Sequence, residues 1–341
     1  FMVNPPPRLR ASRNFLSMSL DPKLETFLAD APIFSQPWWL EAAAPGRWDY
    51  AIVRRGEEIA AAMPYVWTRR LGQLFIEGPQ KTPYLGPWLR KSTAKYANRL
   101  SEEKDLFTEL IEALPSHAAF SQNFHPGMTN WLPFYWKGFQ QTTKYTYQIP
   151  DTSNPETLWK ELRENIRRDI KKARRTLTVT ECDDFETVIR LHKLTCERQG
   201  FRFAHSDEEM MRLHSACREH DCSKVVVAGD AEGRVHAAGY FVWDSQTMYY
   251  YTSGADPSLR NSGAGSMVIW AGIELASRMG LAFDFEGSMQ EPIERVFRAF
   301  GARQVPYFSL ERVCQPRMVA LDRLFLQARA RVGKVIKKYR T

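Results

Sequence analysis

The chain has little cysteine: five residues in 341, namely Cys182, Cys196, Cys217, Cys222 and Cys314, all in the second half and with no C-x-x-C pair. An odd number without paired spacing argues against a disulfide framework or a zinc ribbon, so a reducing, cytoplasmic setting is expected. Long apolar runs are lacking too. The best of them, Met267 to Leu275, is short and contains Glu274, so no segment is expected to cross a bilayer and the chain reads as soluble. Its 20 prolines and 19 glycines show no short period, which excludes collagen-like, low-complexity and solenoid architectures. No H-x-x-x-x-D, G-x-S-x-G or H-E-x-x-H motif occurs, which argues against ester-forming membrane acyltransferases, serine hydrolases and zincins; no metal is expected.

What is present is material for a core: 44% hydrophobic and 13% aromatic residues, enough for two domains or one large one. The formal net charge of +8 and pI near 9.2 favour anionic partners such as phosphate-rich cofactors, RNA or an acidic membrane surface, and DNA is not among those expected. Residues 1–21 mix prolines with Arg8, Arg10 and Arg13 and have no secretory apolar region, so they read as a flexible leader.

Residues 22–150 read as a first domain. A helical stretch at Leu24 to Leu28 precedes β-rich segments at Tyr50 to Arg54, Ile59 to Trp67 and Leu74 to Ile76. A helix from Ser101, with Leu106, Leu110, Ile111 and Leu114 at helical spacing, and a strand at Tyr145 to Ile149 complete it. Pro150, Asp151, Ser153, Asn154 and Pro155 mark a boundary. Residues 151–313 read as a second domain, opening with one helix over 156–175 whose Leu158, Leu162, Ile166, Ile170 and Ala173 form a stripe. Helices at 185–199 and 207–219 follow, then a three-stranded antiparallel meander at Lys224 to Ala228, Val235 to Trp243 and Met248 to Thr252. A helix at 265–279, a strand at Leu281 to Glu286, a short helix at 291–300 and a strand at 305–312 close the domain. Residues 314–341 are a basic amphipathic helix bearing Arg329, Arg331, Lys334, Lys337 and Lys338, open to readings as a solvated face, an RNA contact or a contact with an acidic membrane.

The chemistry concentrates after the meander. An apolar strand ends in Thr252, Ser253 and Gly254, and a loop of Arg260, Asn261, Ser262, Gly263, Ala264 and Gly265 leads through Ser266 into a helix. Glycines permit tight turns and close approach, while a helix N-terminus offers unpaired N–H groups and a positive dipole end, so a pyrophosphate site is expected; a tight turn feeding a buried helix is the other reading. The pattern is neither a Walker A motif nor a dinucleotide fingerprint, since Val268 stands at the third glycine position.

The spacing R-x-x-G-x-G resembles the acyl-CoA loop of the GNAT superfamily of N-acetyltransferases. Phe283, Asp284, Phe285, Glu286 and Gly287, followed by Ile293, Phe297, Arg298, Ala299, Phe300, Gly301, Ala302, Tyr307 and Phe308, resemble the C-terminal signature of the Fem family of peptidoglycan-bridge aminoacyltransferases. Trp136, Gly138, Phe139, Tyr145, Tyr147, Ile149, Trp159, Leu162, Arg167, Arg168, Ile170, Lys172 and Ala173, and the early Phe34, Gln36 and Trp39, resemble the same family, so the likeness covers most of residues 34–313. It implies an α/β fold of tandem GNAT-like domains with mixed, mostly antiparallel sheets flanked by helices. It also implies an activated donor and an amine-bearing acceptor, a small molecule, peptide or cell-wall precursor. The Fem likeness and the net charge favour aminoacyl-tRNA as that donor, whereas Arg260, Gly263 and Gly265 favour acyl-CoA, which is preferred because the loop has a direct physical task with it. The first half has only Gly78, Pro79, Tyr84, Leu85 and Gly86 where a donor loop would stand, so its donor site is expected to be degenerate. Arg298 replaces the lysine common in the family, which keeps the charge but not a proton donor at neutral pH.

Acyl transfer to an amine needs oxyanion donors and a proton acceptor. Glu286 is the first choice as base and Asp284 the second, the two being two apart on one strand; an ion pair with Arg298 or Arg295 is the structural alternative. Tyr251 reads as core packing or as a phenol near the leaving group. The stripe Arg163, Arg167, Lys171 and Arg174 or Arg175 reads as a solvated helix face or a grip on transfer RNA. Trp38 and Trp39 read as core anchors or sugar-stacking rings, and His205 as structural, exposed or lining an acceptor pocket. A non-catalytic binding module that keeps the fold is the reading from another class.

Overall fold

The computed structural model describes residues 21–200, 206–287 and 289–338, with side chains as far as Gln327. Residues 1–20 of the leader, Phe201, Phe203, His205 and the side chains of Arg329, Arg331, Lys334, Lys337 and Lys338 lie outside the described set. The first half runs α1 (Pro22–Leu28), α2 (Pro37–Ala43), β1 (Trp48–Arg55), β2 (Glu58–Arg70), β3 (Gln73–Glu77), β4 (Trp88–Leu89), α3 (Tyr96–Ala113), β5 (Ala119–Asn123), α4 (Leu132–Trp136) and β6 (Gln140–Ile149). The second runs α5 (Pro155–Glu161), α6 (Glu164–Ala173), β7 (Leu177–Cys182), α7 (Phe185–Arg198), α8 (Asp207–Glu219), β8 (Ser223–Asp230), β9 (Val235–Trp243) and β10 (Thr247–Ala255). It continues with α9 (Ala264–Met279), β11 (Ala282–Asp284), α10 (Glu291–Ala299), β12 (Arg303–Val313) and α11 (Pro316–Lys338).

All the strands join one sheet in the order β1-β2-β3-β5-β12-β6-β11-β10-β9-β8-β7, with β4 paired to β2. The fold class is the expected one: a mixed, mostly antiparallel sheet flanked by helices. Only β3 with β5 and β10 with β11 are parallel among the described residues. Each parallel pair is bridged by a helix, α3 in the first half and α9 in the second, as a parallel crossover requires. The last strand, β12, returns to lie between β5 and β6, so sequence-distant segments are interleaved at the middle of the sheet.

Two expectations are corrected. The single helix over 156–175 is two helices, because Leu162 is extended (ψ 139°) and buried, and Arg163 N–H donates to Ala299 O at 2.9 Å instead of continuing the helical ladder. The stripe survives the break: Leu162, Ile166, Ile170 and Ala173 all pack into one cluster with α9. The strand expected to reach Glu286 stops at Asp284, because Glu286 has φ +59°, which no strand accommodates. The edge strand β7, which had no counterpart in the sequence reading, pairs antiparallel with β8 through Leu177 to Cys182.

The helices sort the cores. On one face, α6 and α9 cover Val226, Phe241, Met248 and Phe283. On the other, α7 and α8 cover Tyr240, Tyr249 and Tyr251, together with Phe34, Trp39 and Tyr84 from the first half. Trp39 is fully buried with its Nε1–H donating to Thr82 Oγ1 at 3.0 Å, which settles it as a core anchor. Truncating such a fully buried ring costs about 3–5 kcal/mol.

Candidate active site

The two parallel pairs end differently. Strand β10 pairs with β11 only from Thr247 to Tyr249 (opposite Ala282 to Asp284) and then runs on to Ala255 along β9 alone. Its β11-facing edge is therefore parted from that neighbour beyond Tyr249, and a register shift between Tyr250 and Thr252 bends the strand at this point. In the first half β3 pairs with β5 to its last residue, Glu77, and the chain then returns at Leu85 to form a parallel bridge with Phe124. Leu85 N–H donates to Asn123 O and Leu85 O accepts from His125 N–H, both at 2.8 Å, so that end is filled by the protein's own backbone.

At the end of β10 a cleft of about 230 Å³ is lined by Ser253, Gly254, Ala255, Arg260, Gly265 and, from α7, Thr195 and Arg198. Of the expected donor-site residues Ser253, Gly254, Arg260 and Gly265 line it, and Thr252, Asn261, Ser262, Gly263, Ala264 and Ser266 do not; the glycines serve different ends. A Cβ on Gly254 would lie 2.2 Å from the α7 backbone, and one on Gly263, at φ +83°, would lie 2.3 Å from Asp169 O. Protein packing alone requires both glycines. Gly265 differs: it is exposed on the first turn of α9 and has open space where a Cβ would stand. Arg260 and Asn261 are exposed, Ser262 and Ser266 half-buried, and Thr252 and Ala264 buried. Lys172 of α6 fastens the loop by donating to Asn261 O at 2.5 Å. On the strand side, His192 Nδ1–H donates to Ser253 O (2.7 Å), and Ala255 N–H donates to Thr195 Oγ1 (3.1 Å).

The second group of residues lies where β11 stops. Asp284 is 1% exposed and accepts hydrogen bonds from Thr146 Oγ1, Gln148 Nε2 (2.8 Å) and Glu286 N–H (2.7 Å). Burial nevertheless pushes its carboxyl up to about 6, against those hydrogen bonds. Glu286 follows in a left-handed conformation, and its Oε1 is sealed from solvent without a hydrogen-bond partner. Burial pushes this carboxyl well above the usual range, the nearby Lys81 cation pulls it back, and Asp284 adds to the rise.

Lys81 comes from the first half, on the excursion between β3 and Leu85, and has φ +61°. Only four non-glycine residues have positive φ among those described, and two of them, Lys81 and Glu286, share this place. Strain concentrated on opposing charged residues points to a functional site. Burial lowers the Lys81 ammonium and Glu286 opposes that shift. Tyr251 Oη–H donates to Lys81 O at 2.7 Å, and Lys81 Nζ lies 5.7 Å from the Tyr251 ring centroid. Tyr84 and Tyr307 pack edge-to-face at 5.0 Å beside the two carboxyls, and the Tyr84 hydroxyl is buried and unbonded.

Arg298 does not join this group. It pairs with Glu294 at 2.8 Å on α10, and Arg295 pairs with Glu291, so neither arginine satisfies Glu286. Lys81 and His192 have no part in the sequence reading, while Tyr84 enters it only within the degenerate first-half loop and Tyr307 only within the Fem-like signature; the one local signal for Lys81 is the Pro- and Gly-rich stretch around it, whose legible meaning is a loop.

Residues 160–291 match the family described as the acetyltransferase (GNAT) domain. That match covers well under half of the chain, from the end of α5 to the first residue of α10. The crystal structure of FemX is similar over 89% of this chain and 98% of its own, with a TM-score of 0.64 at 12% identity. The structure of L-PGS from Bacillus licheniformis is similar over 89% of this chain and 96% of its own, with a TM-score of 0.50 at 13% identity. No curated protein matches the sequence. Within the GNAT domain lie the parted strand pair, the cleft and the Asp284–Glu286 turn, whereas Lys81 and Tyr84 reach it from outside the matched residues. No cluster of metal-ligating side chains occurs among the described residues, and none of their helices is long and apolar enough to cross a membrane.

Proposed function

We propose that the protein is an N-acyltransferase that moves an acyl group from acyl-CoA to the amine of a small molecule, peptide or cell-wall precursor. The observation that carries this reading is the parting of β10 from β11 beside the cleft of Ser253, Gly254, Arg260 and Gly265. A strand edge without a neighbour offers main-chain hydrogen bonds to the amide groups of an extended carrier arm. Gly265, on the first turn of α9, leaves room for phosphates at the helix N-terminus, and Arg260 adds an exposed cation.

In the reaction the amine nitrogen attacks the thioester carbonyl carbon and a C–N bond forms; the C–S bond breaks with its electron pair on sulfur, and the proton lost by the nitrogen goes by way of the carboxylate base to the leaving thiolate, which departs as the coenzyme A thiol. Glu286 Oε1, desolvated and unsatisfied, accepts that proton. Main-chain N–H groups at Thr252 to Gly254 steady the carbonyl oxygen as it gains charge. Lys81 favours the ionised form of Glu286, and Tyr251 holds the Lys81 segment in place. Asp284 fixes the turn by accepting from Glu286 N–H. Arg298, held by Glu294 on α10, has no step here.

One observation favours aminoacyl-tRNA as the donor instead. Exposed Arg163, Arg168, Lys171 and Arg175 lie on and beside α6, which is fastened to the donor loop through Lys172 and Asn261. The two donors separate by thermal stabilisation: acetyl-CoA raising the melting temperature without transfer RNA doing so supports the first reading. Retention on charged tRNA with steep salt dependence supports the second. Silence with both leaves a non-catalytic module.

A further inference from the structure

We propose that α11 is an anchor that lays the protein on an anionic lipid surface. Residues 316–341 contain eight Lys or Arg and one acid, so this stretch carries +7 of the chain's formal +8. The rest of the molecule is nearly neutral, and its excess charge sits in this stretch.

That helix touches the body through one side. Asp322 is buried and pairs with Arg70 Nε at 3.0 Å. Leu321 and Leu324, by contrast, are 52% and 63% exposed. In the sequence, Ala328, Val332, Val335 and Ile336 continue the stripe of Leu321 and Leu324 at the 3.6-residue period, and Arg329, Arg331, Lys334, Lys337 and Lys338 fall at its flanks and behind it. An apolar stripe bordered by cations matches a bilayer interface, with acyl chains taking the leucines and anionic headgroups the basic residues. Nucleic acid would satisfy the charge and leave the leucines in water. A second copy of the helix would cover the leucines and crowd like charges together.

The test uses the full chain in sedimentation with phosphatidylcholine vesicles, with and without phosphatidylglycerol. Binding to the phosphatidylglycerol vesicles alone, weakening as salt rises, is the expected result. The double substitution Leu321→Glu with Leu324→Glu, both on exposed positions, should weaken binding by about tenfold or more. Lys337→Glu with Lys338→Glu, near the free end of the helix, should weaken it comparably while leaving the melting curve unchanged. The proposal is overturned if anionic vesicles leave the protein in the supernatant, if both double variants sediment like the parent, or if single-stranded RNA binds the chain and anionic vesicles do not.

Discussion

The two parallel strand pairs are built alike and finished differently. In the first half the chain leaves β3, makes an excursion and comes back at Leu85 to extend the pairing with the end of β5. In the second half nothing returns, and β10 extends past its last β11 partner into a cleft. The difference teaches where a ligand can enter and also what the filled half contributes. Its excursion carries Lys81 and Tyr84 across to the open half, so the plugged pair supplies residues to the other pair's site.

The largest effect expected from this contrast is chemical. Glu286→Gln should lower turnover by about 100-fold or more while acetyl-CoA binding persists; intact-mass detection of acylated amines checks the first part and calorimetry the second. Unchanged turnover would remove the open side's carboxylate from the reaction.

Next comes stability. Gly254→Ala forces a methyl group into the α7 backbone, where no side chain can yield, and should cost about 3 kcal/mol or more in denaturant unfolding. Gly265→Ala meets empty space and should melt like the parent, yet bind acetyl-CoA several-fold more weakly. If the two variants behaved alike, the distinction between a packing glycine and a ligand-facing glycine would fail.

A third expectation concerns pH. Burial pushes the Asp284 carboxyl of the folded chain up to about 6 from its ordinary 3.8, so between those values the folded protein holds a proton that the unfolded chain has released. Stability therefore falls as pH rises through that window, Asp284 contributing on the order of 3 kcal/mol, and the loss should shrink in Asp284→Asn, with the raised Glu286 carboxyl supplying the remainder. Denaturant midpoints measured across that range would show it. A smaller effect is expected of Lys81→Met: without the cation Glu286 ionises less readily, so the rising limb of the pH–rate profile should move to higher pH, and Lys81→Arg should restore it.

Much of the fold was legible because its signals are local. The meander, the α9 helix and the amphipathic α6 stripe follow from alternation and 3.6-residue spacing. The break at Leu162 was not legible, since it depends on Ala299, more than a hundred residues away, offering its carbonyl to Arg163. Nor was the insertion of β12 between β5 and β6, because strand order is set by tertiary pairing. Within the site, the loop from Arg260 to Gly265 could be read because glycines and a helix start leave a pattern. Glu286 could be read as a carboxylate near a strand end, but its partner Lys81 could not, since the two meet only after a loop from one half docks on the other. Tyr251 illustrates the same limit: the sequence reads it as core packing or as a phenol near the leaving group, and in the fold its hydroxyl serves the Lys81 carbonyl.

The most direct test is a crystal structure with acetyl-CoA bound. The account predicts the carrier arm along Tyr250 to Ala255 with its phosphates at the first turn of α9 beside Gly265. A carrier seated along β3 and β5, or an empty β10 cleft at saturating ligand, would contradict it.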